Sequence, residues 1–299
     1  MFLHEDKEKF LAVLETICKA SRIQVDLIEK DYYVSLILKE IANFSDKVIF
    51  KGGTSLSKAF KAINRFSEDI DISFSEHIGA SRRKKLKYQI LAPIASKLRL
   101  SISNFNETQS DRDINNYIFE YKPLCNSSTH IIPAVKVETS LITTAYPFEK
   151  KPIGNYIAEY SNEIILSEYG LEPFMMKVQT IERTLIDKVF AICDYYLENK
   201  SRRLSRHIYD IHMIFPMVNF DDDFKDLVKK VRKIRSDLTI CPSAKADIDI
   251  SSLLKKICDT NFFKNDYDGV TRFFIFDNVK YEETKSTLLR IIDSGMFNG

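Results

Sequence analysis

The chain has 299 residues, 44% of them hydrophobic and 12% aromatic, which is enough for a substantial core in one or two domains. A net charge of +2 does not by itself require nucleic acid or a membrane as a partner. The five cysteines are scattered without a Cys-x-x-Cys pair, which argues against a disulfide framework and a zinc site. The N-terminus is charged, unlike a signal peptide, and no apolar run is long enough to span a membrane. We therefore expect a cytoplasmic protein without a membrane partner.

The first half of the chain begins with helical patterns and then changes to strands. Apolar residues at helical spacing predict two helices over residues 4–42, with Lys30 and Asp31 expected on a solvated face rather than in contact with the site. A short strand over residues 48–50 is followed by a Gly-Gly turn and a helix from about residue 55 to 63. A basic amphipathic helix is predicted over residues 81–98, where Pro93 should kink or split it. Strands are predicted over residues 100–105, 117–121 and 131–141, with polar turns at 107–115 and 126–130.

The most informative strand is the one predicted over residues 69–74. Asp69 and Asp71 alternate with apolar residues, and this period of two places both carboxylates on one face. Two adjacent acids repel each other unless a cation lies between them. Glu138 stands on the polar face of a later predicted strand, together with Lys136 and Ser140, and is either a third acid of the same site or an ordinary exposed glutamate.

The second half of the chain is predicted to be helical. Residues 146–172 are predicted to form a mixed loop, and a domain boundary near Pro173 separates residues 1–172 from residues 173–299. Thr180 is predicted to cap a helix that ends near Leu197. Further helices are predicted over residues 205–214, 222–235, 250–263 and 281–293, and Arg206 is placed to pair with Asp210 four residues later. The expected fold class is α+β, a mixed sheet flanked by helices, followed by a C-terminal helical domain.

These features together suit one kind of chemistry. Acids on neighbouring strands can hold Mg²⁺ against the phosphates of an NTP, and backbone N–H groups at the glycine turn can hold the phosphates themselves. A lysine from the helical domain can neutralise charge on the triphosphate. The acidic strand and the glycine turn are weak signals separately, and their combination at this spacing is considerably more specific.

The same residues resemble a known family. The stretch FKGGTSLSKAF, followed by RFSEDIDISF, resembles the AbiEii/AbiGii-type nucleotidyltransferase toxins of type IV toxin–antitoxin systems, within the DNA polymerase β-like nucleotidyltransferases. The segments TIERTLIDK, ending at Lys188, and RHIYD, ending at Asp210, resemble later motifs of that family. The resemblance covers roughly residues 30–215 and implies a polymerase β-like core, with the helical domain completing the active-site cleft.

The resemblance also implies a role for individual residues. Asp69 and Asp71 are the expected catalytic, metal-binding pair, and Glu138 is the expected third metal ligand. Nucleotide binding is expected at the turn and on the helical domain, at Gly52, Gly53, Thr54, Ser55, Arg183 and Lys188. Because Gly-Gly-Thr-Ser replaces the commoner Gly-Ser, Ser55 is expected to be the principal hydroxyl. Lys188 is also expected to be catalytic, with Asp210 orienting Lys188 or the substrate and Arg206 in support. The implied cofactor is Mg²⁺, with Mn²⁺ as an alternative, and the nucleotide substrate is an NTP.

The implied activity is transfer of nucleotides to an acceptor hydroxyl, with the 3′ end of tRNA as the leading acceptor and a block of translation and growth as the result. A cognate antitoxin encoded nearby is the expected partner. Two alternatives remain open at this stage. One is a nucleotidyltransferase that modifies a small molecule such as an antibiotic, or a protein-AMPylating enzyme. The other is a non-catalytic interaction protein with the same fold, against which the intact acids argue.

Overall fold

The computed structural model describes residues 1–109, 112–124 and 131–298, and the chain divides into two compact units. The first unit comprises Met1–Phe60 and Ser67–Gln179, and the second comprises Lys61–Phe66 and Thr180–Gly299. The division after Gln179 lies beyond the one expected after residue 172, because residues 174–179 form a strand of the first unit's sheet.

The first unit is built on a seven-stranded mixed sheet with the strand order β3-β4-β5-β2-β1-β7-β6. Its strands are β1 (Val48–Lys51), β2 (Ile70–Phe74), β3 (Ser101–Ile102), β4 (Ile114–Glu120), β5 (Ala134–Ser140), β6 (Phe148–Ile153) and β7 (Phe174–Gln179). The pairs β1–β7 and β2–β5 are parallel, and the other neighbouring strands are antiparallel. The two strands that carry the predicted acids, β2 and β5, are therefore direct neighbours in the middle of the sheet.

Helices flank this sheet and share its core. They are α1 (Lys7–Ser21), α2 (Val25–Phe44), α3 (Gly52–Lys58), α4 (Ala80–Lys85), α5 (Ala92–Lys97), α6 (Tyr156–Tyr160) and α7 (Glu163–Tyr169). Between α4 and α5, Leu86–Leu91 form a π-helical stretch just before Pro93, so the expected interruption of this helix is confirmed. The fully buried Ile37 of α2 lies in the same hydrophobic core as Ile72 of β2 and Val137 of β5.

The expectations for α3 and for residues 146–172 were wrong. Helix α3 begins at Gly52 and ends at Lys58, rather than covering residues 55–63, so the glycines are its first turn. Residues 146–172 are not a loop, since they form β6, α6 and α7. The side chains of Asn155 and Asn162 accept hydrogen bonds from the first turns of α6 and α7, which are ordinary N-cap signals. The turn predicted at 126–130 lies outside the described residues.

The second unit is mainly helical, as expected. Its helices are α8 (Ile181–Leu197), α9 (Arg206–Ile214), α10 (Asp222–Ser236), α11 (Ile250–Asp259), α12 (Lys264–Gly269) and α13 (Tyr281–Asp293). The hydroxyl of Thr180 accepts a hydrogen bond from the N–H of Arg183, which confirms the predicted cap of α8. Helix α9 packs against α8 and α13. Within the described ranges, none of the helices combines the length and apolar character that a membrane crossing requires.

Candidate active site

The two predicted catalytic aspartates lie at the start of β2. Asp69 directly precedes the strand and Asp71 is its second residue. The flanking Ile70 and Ile72 are fully buried in the core, so the period of two in the sequence is realised and the aspartates project from the other face. Asp71 is only partly buried.

Glu138 lies beside this pair on the neighbouring strand. In the parallel pairing of β2 with β5, Asp71 is the register partner of Glu138, and Ile70 is the partner of Val137. Because side chains of directly paired residues lie on the same face of a sheet, Glu138 shares the polar face with Asp71. The structure therefore places Asp69, Asp71 and Glu138 on one face of two neighbouring strands, with Asp71 and Glu138 as direct register partners.

The charges around Asp71 show that the acids repel one another. Burial, followed by the nearby carboxylate of Glu138, raises the pKa of Asp71 to about 6, and Asp69 adds to this effect. Lys51, the register partner of Asp71 on β1, acts in the opposite direction. A cation that neutralised these carboxylates would remove the repulsion.

Lys136 supplies one such positive charge, and the sequence had not linked it to the aspartates. Its Nζ lies 2.9 Å from Oδ2 of Asp69. Burial alone would lower the pKa of Lys136, but the attraction and hydrogen bond of Asp69 outweigh burial and raise it. The signal was available, because Lys136 and Glu138 are two residues apart on one strand and therefore share a face.

The carboxylates fit a divalent cation by their chemistry. Mg²⁺ and Mn²⁺ prefer carboxylate oxygens, and Asp71 and Glu138 are adjacent, like-charged donors. Within residues 1–109, 112–124 and 131–298, however, no three acidic, histidine or cysteine side chains are already gathered as a ligand set. Asp69 is bound to Lys136 instead of facing its fellow acids as a free ligand.

The backbone at Gly52 lies close against the side chain of Asp71. It begins α3 immediately after β1, and its φ of +79° lies in the left-handed region that favours glycine. A Cβ atom at Gly52 would lie 2.0 Å from Oδ2 of Asp71, so no other residue fits without moving that carboxylate. The glycine turn and the acidic strand thus form one packed unit.

The two hydroxyls of the predicted phosphate turn have internal partners. Ser55 Oγ donates a hydrogen bond to the carbonyl of Gly52 at 2.8 Å, and Thr54 Oγ1 lies 2.8 Å from Ser67 Oγ. Both Thr54 and Ser55 are almost fully buried. In this structure the hydroxyls hold the turn in place, and the assignment of Ser55 as the principal phosphate ligand stays a prediction.

Lys30 and Asp31 do not lie on a solvated helix face, so that expectation was wrong. Lys30 is 3% exposed and forms an ion pair with Glu68, the residue before Asp69. Asp31 pairs with Lys58, the last residue of α3, at 2.5 Å. Both ends of the loop between α3 and β2 are therefore anchored to α2.

In the second unit, Lys188 and Asp210 contact each other directly. Lys188 Nζ lies 2.6 Å from Asp210 Oδ2. Arg65, which the sequence analysis missed, donates from Nε to Oδ1 at 2.6 Å and from a terminal nitrogen to Oδ2 at 2.8 Å. Arg206 is exposed, so the predicted pair of Arg206 with Asp210 was wrong. Nothing local in the sequence marks Arg65, because it lies 145 residues before Asp210.

This buried ion cluster shifts the pKa of its members. Burial alone would raise the pKa of Asp210, but Arg65 and Lys188 together hold it well below its ordinary value. Burial lowers the pKa of Lys188, and Asp210 counteracts this only in part. Asp210 therefore stays a carboxylate that fixes two cations.

Arg183 belongs to a different cluster on α8. Its side chain is 1% exposed, and its Nε lies 3.1 Å from Oδ2 of Asp187, which Arg235 of α10 also approaches. Arg183 and Lys188 are five residues apart, so they point about 140° away from each other around the helix. The nucleotide-binding role of Arg183 stays a prediction.

Comparison with known proteins supplies the family. A family model described as "Nucleotidyl transferase AbiEii toxin, Type IV TA system" matches residues 36–278, which is most of the chain. No curated protein matches. Among solved structures, the chain is similar to MenT4, a nucleotidyltransferase toxin from Mycobacterium tuberculosis H37Rv. The sequence identity is 15% and the TM-score 0.48, over 94% of this chain and 98% of that chain.

Proposed function

Because the chain belongs to the AbiEii family of nucleotidyltransferase toxins from type IV toxin–antitoxin systems, we propose that it transfers nucleotides from an NTP to the 3′ end of tRNA. The reaction would release pyrophosphate, block translation and arrest growth. We propose the cytoplasm as its location, since NTPs and tRNA are found there, and a cognate antitoxin as the partner that relieves the arrest.

The observation that carries the proposal is the pairing of Asp71 with Glu138 on adjacent parallel strands, two residues after Asp69. These three residues would hold Mg²⁺, with Mn²⁺ as an alternative. When bound, the metal would neutralise charge on the phosphates and activate the acceptor hydroxyl. Asp71 is already positioned by Gly52 and is repelled by its neighbours, so an incoming cation meets oriented oxygen donors.

The remaining assignments concern the triphosphate. We propose that Gly52, Gly53, Thr54 and Ser55 bind phosphate through the first turn of α3. In the second unit, Lys188 would bind phosphate oxygens, and Asp210 would orient the Lys188 ammonium through the contact at 2.6 Å. Arg65 supports Asp210 from the other side, and we assign it a positioning role.

The direct test is incubation of the protein with labelled NTPs, Mg²⁺ and total tRNA. We expect label on tRNA with the wild type and a loss of at least about 100-fold with Asp69→Asn or Asp71→Asn, because each removes a charged oxygen donor. Glu120→Gln is the matched control, since Glu120 is an exposed acid on β4 of the same sheet. Label on a protein or a small molecule would instead favour an AMPylating or antibiotic-modifying enzyme. Transfer by Asp71→Asn at the wild-type rate would refute the assignment of the site.

Metal dependence has a second readout that does not need activity. Mg²⁺ or Mn²⁺ at 100 times Kd should stabilise the wild type by about 2.7 kcal/mol. This stabilisation should be visible as a higher melting temperature. The Asp71→Asn variant should show a much smaller shift, whereas Glu120→Gln should respond like the wild type. An equal shift in all three proteins would place the metal elsewhere.

A further inference from the structure

The second unit carries an exposed group of phenylalanines that the proposed reaction does not use. Phe273, Phe274 and Phe276 are 79%, 49% and 53% exposed. The intervening Ile275 is buried, so the segment is ordered against the unit on one side only. Clustered exposed aromatic side chains commonly mark a binding surface.

A one-bridge antiparallel ladder between residues 64–66 and 274–276 fixes the direction of the Phe274 and Phe276 rings. The N–H of Phe66 donates to the carbonyl of Phe274 at 3.0 Å, and the N–H of Phe276 donates to the carbonyl of Asn64 at 2.8 Å. Arg65 and Ile275 are the paired residues between these bonds, and both are buried. Because side chains alternate along a strand, Phe274 and Phe276 share the outer face while Arg65 points inward.

The inner face of the ladder connects directly to the predicted catalytic residues. Arg65 binds both carboxylate oxygens of Asp210, and Asp210 binds Lys188. The hydroxyl of Tyr209, which precedes Asp210, accepts the N–H of Asn64 at 3.1 Å and donates to Asp277 at 2.7 Å. The aromatic face and the Lys188–Asp210 pair are thus opposite sides of one hydrogen-bonded structure.

Exposed arginines lie on segments that are tied to the same structure. Arg202, Arg203 and Arg272 are exposed, and none of the three has an ion-pair partner among the residues that the structure describes. Ser205 Oγ lies 2.7 Å from Thr271 Oγ1, which fastens the loop carrying the first two arginines to the residue before the third.

A buried carboxylate holds this arginine loop in shape. Asp266 accepts hydrogen bonds from the backbone N–H groups of Arg203, Leu204 and Ser205, at 2.6, 3.1 and 2.9 Å, and from the hydroxyl of Ser205 at 2.7 Å. The Asp266 carboxylate therefore bonds backbone N–H groups and the hydroxyl of Ser205, and it does not pair with the guanidinium groups. The guanidinium groups of the loop are thus accessible to a ligand.

We propose that Phe273, Phe274, Phe276, Arg202, Arg203 and Arg272, here called the Phe–Arg surface, bind single-stranded RNA. Bases stack on the phenylalanine rings and phosphates contact the arginines, the combination by which proteins hold single strands without reading a sequence. Uncompensated positive charge beside the rings favours a polyanion over an apolar protein partner. This inference rests on the proposed function and assigns the surface to the unpaired 3′-terminal nucleotides of the tRNA acceptor.

The test measures binding of the 299-residue protein to a fluorescent single-stranded RNA that has the sequence of a tRNA 3′ end. Fluorescence anisotropy in the absence of NTP reports the Kd. The paired change Phe274→Leu with Phe276→Leu keeps apolar side chains but removes the rings. We expect Kd to rise about tenfold or more. Phe44→Leu, at an exposed phenylalanine of the first unit, should leave Kd unchanged.

The arginines are tested by the salt dependence of the same binding. Arg202→Ala with Arg203→Ala should lower the slope of log K against log salt concentration by about 0.7 per arginine. Lys255→Ala with Lys256→Ala, exposed on α11, is the matched control and should leave the slope unchanged. A blunt RNA duplex should bind more weakly than the single strand and should not respond to the phenylalanine changes.

The outcomes separate this inference from the proposed function. The surface is refuted if the phenylalanine variant, with a wild-type melting temperature, binds the RNA like the wild type, or if it loses antitoxin binding while RNA binding is unchanged. Asp71→Asn should lose transfer but keep the RNA Kd. A wild type that binds the strand through its phenylalanines yet labels no tRNA would refute the proposed reaction and leave the surface standing.

Discussion

Gly52→Ala is expected to damage the site by a route that can be calculated from the structure. The left-handed backbone, with φ of +79°, costs a residue with a side chain about 1–2 kcal/mol. The new Cβ would also lie 2.0 Å from Asp71 Oδ2, so the carboxylate must leave its rotamer at a further cost of about 0.5–1.5 kcal/mol. We expect a loss of about 2–3 kcal/mol in the free energy of unfolding. Nucleotide transfer should fall by about 100-fold, since the carboxylate of Asp71, to which we assign a catalytic role, is displaced by about 1 Å.

The assays are urea denaturation and labelled-NTP transfer, with two controls. Gly79→Ala is the matched control, because the φ of Gly79 is −72° and a Cβ there meets no atom within 4 Å. Because Gly79 is the N-cap of α4, where glycine is preferred to alanine, the gain from a stiffer unfolded chain is offset, and the change should stay within about 1 kcal/mol of the wild type. In an Asp71→Ala background the carboxylate is absent and only Cβ of residue 71 remains, 3.0 Å from the new Cβ, so Gly52→Ala should cost less than in the wild-type background and approach the backbone contribution of about 1–2 kcal/mol. An equal cost in both backgrounds, or full transfer by Gly52→Ala, would refute the reasoning.

Three further changes test other parts of the molecule. Asp210→Asn leaves Arg65 and Lys188 buried without the Asp210 charge and should lower the unfolding free energy, measured in urea, by about 3–5 kcal/mol. Asp226→Asn, at an exposed ion pair, should lower it by under about 1 kcal/mol. Similar values for the two variants would argue against the buried cluster. The pKa of Asp71 is raised to about 6, so its protonation contributes stability to the metal-free protein below about pH 4, and this contribution is lost as the pH rises through 6. In EDTA, Asp71→Asn should therefore be more stable than the wild type by up to about 3 kcal/mol at pH 7.5. At pH 4 the two proteins should be equally stable. Thr180→Ala removes the cap of α8 and should lower the unfolding free energy by about 1 kcal/mol, and an unchanged value would deny the cap a stabilising role.

Local patterns in the sequence were sufficient for the acidic half of the candidate site. The alternation around Asp71 and that around Glu138 each fixed a strand face, and the structure adds that the two strands are neighbours and that Lys136 pairs with Asp69. The cap at Thr180 and the apolar stripe of α8 were equally local signals. Strand β7 was missed because its boundary with α8 falls beyond Pro173, which was taken for the end of the first domain.

Long-range contacts were the part that the sequence did not reveal. Arg65 and Asp210 form a buried, two-bonded ion pair across 145 residues, and no spacing rule connects them. Lys30 was assigned to a solvated face, yet its ammonium contacts Glu68 and the carbonyl of Ile132, both distant in the sequence. The helices within residues 146–172 were missed, although Asn155 and Asn162 are ordinary N-caps.

The assignment of Lys61–Phe66 to the second unit has a consequence for synthesis and for fragments. A ribosome adding about 5–20 residues per second completes Asp210 roughly 7–30 s after Arg65, so throughout that interval the nascent chain lacks the carboxylate that binds Arg65 in the folded protein. A fragment that begins at Thr180 would lack Arg65. Its Asp210 would then lose Arg65 as a partner, and its Tyr209 would lose the hydrogen bond from the N–H of Asn64. Two fragments divided at Thr180 would therefore each be incomplete. Both would have to be expressed together to bring Arg65 to Asp210.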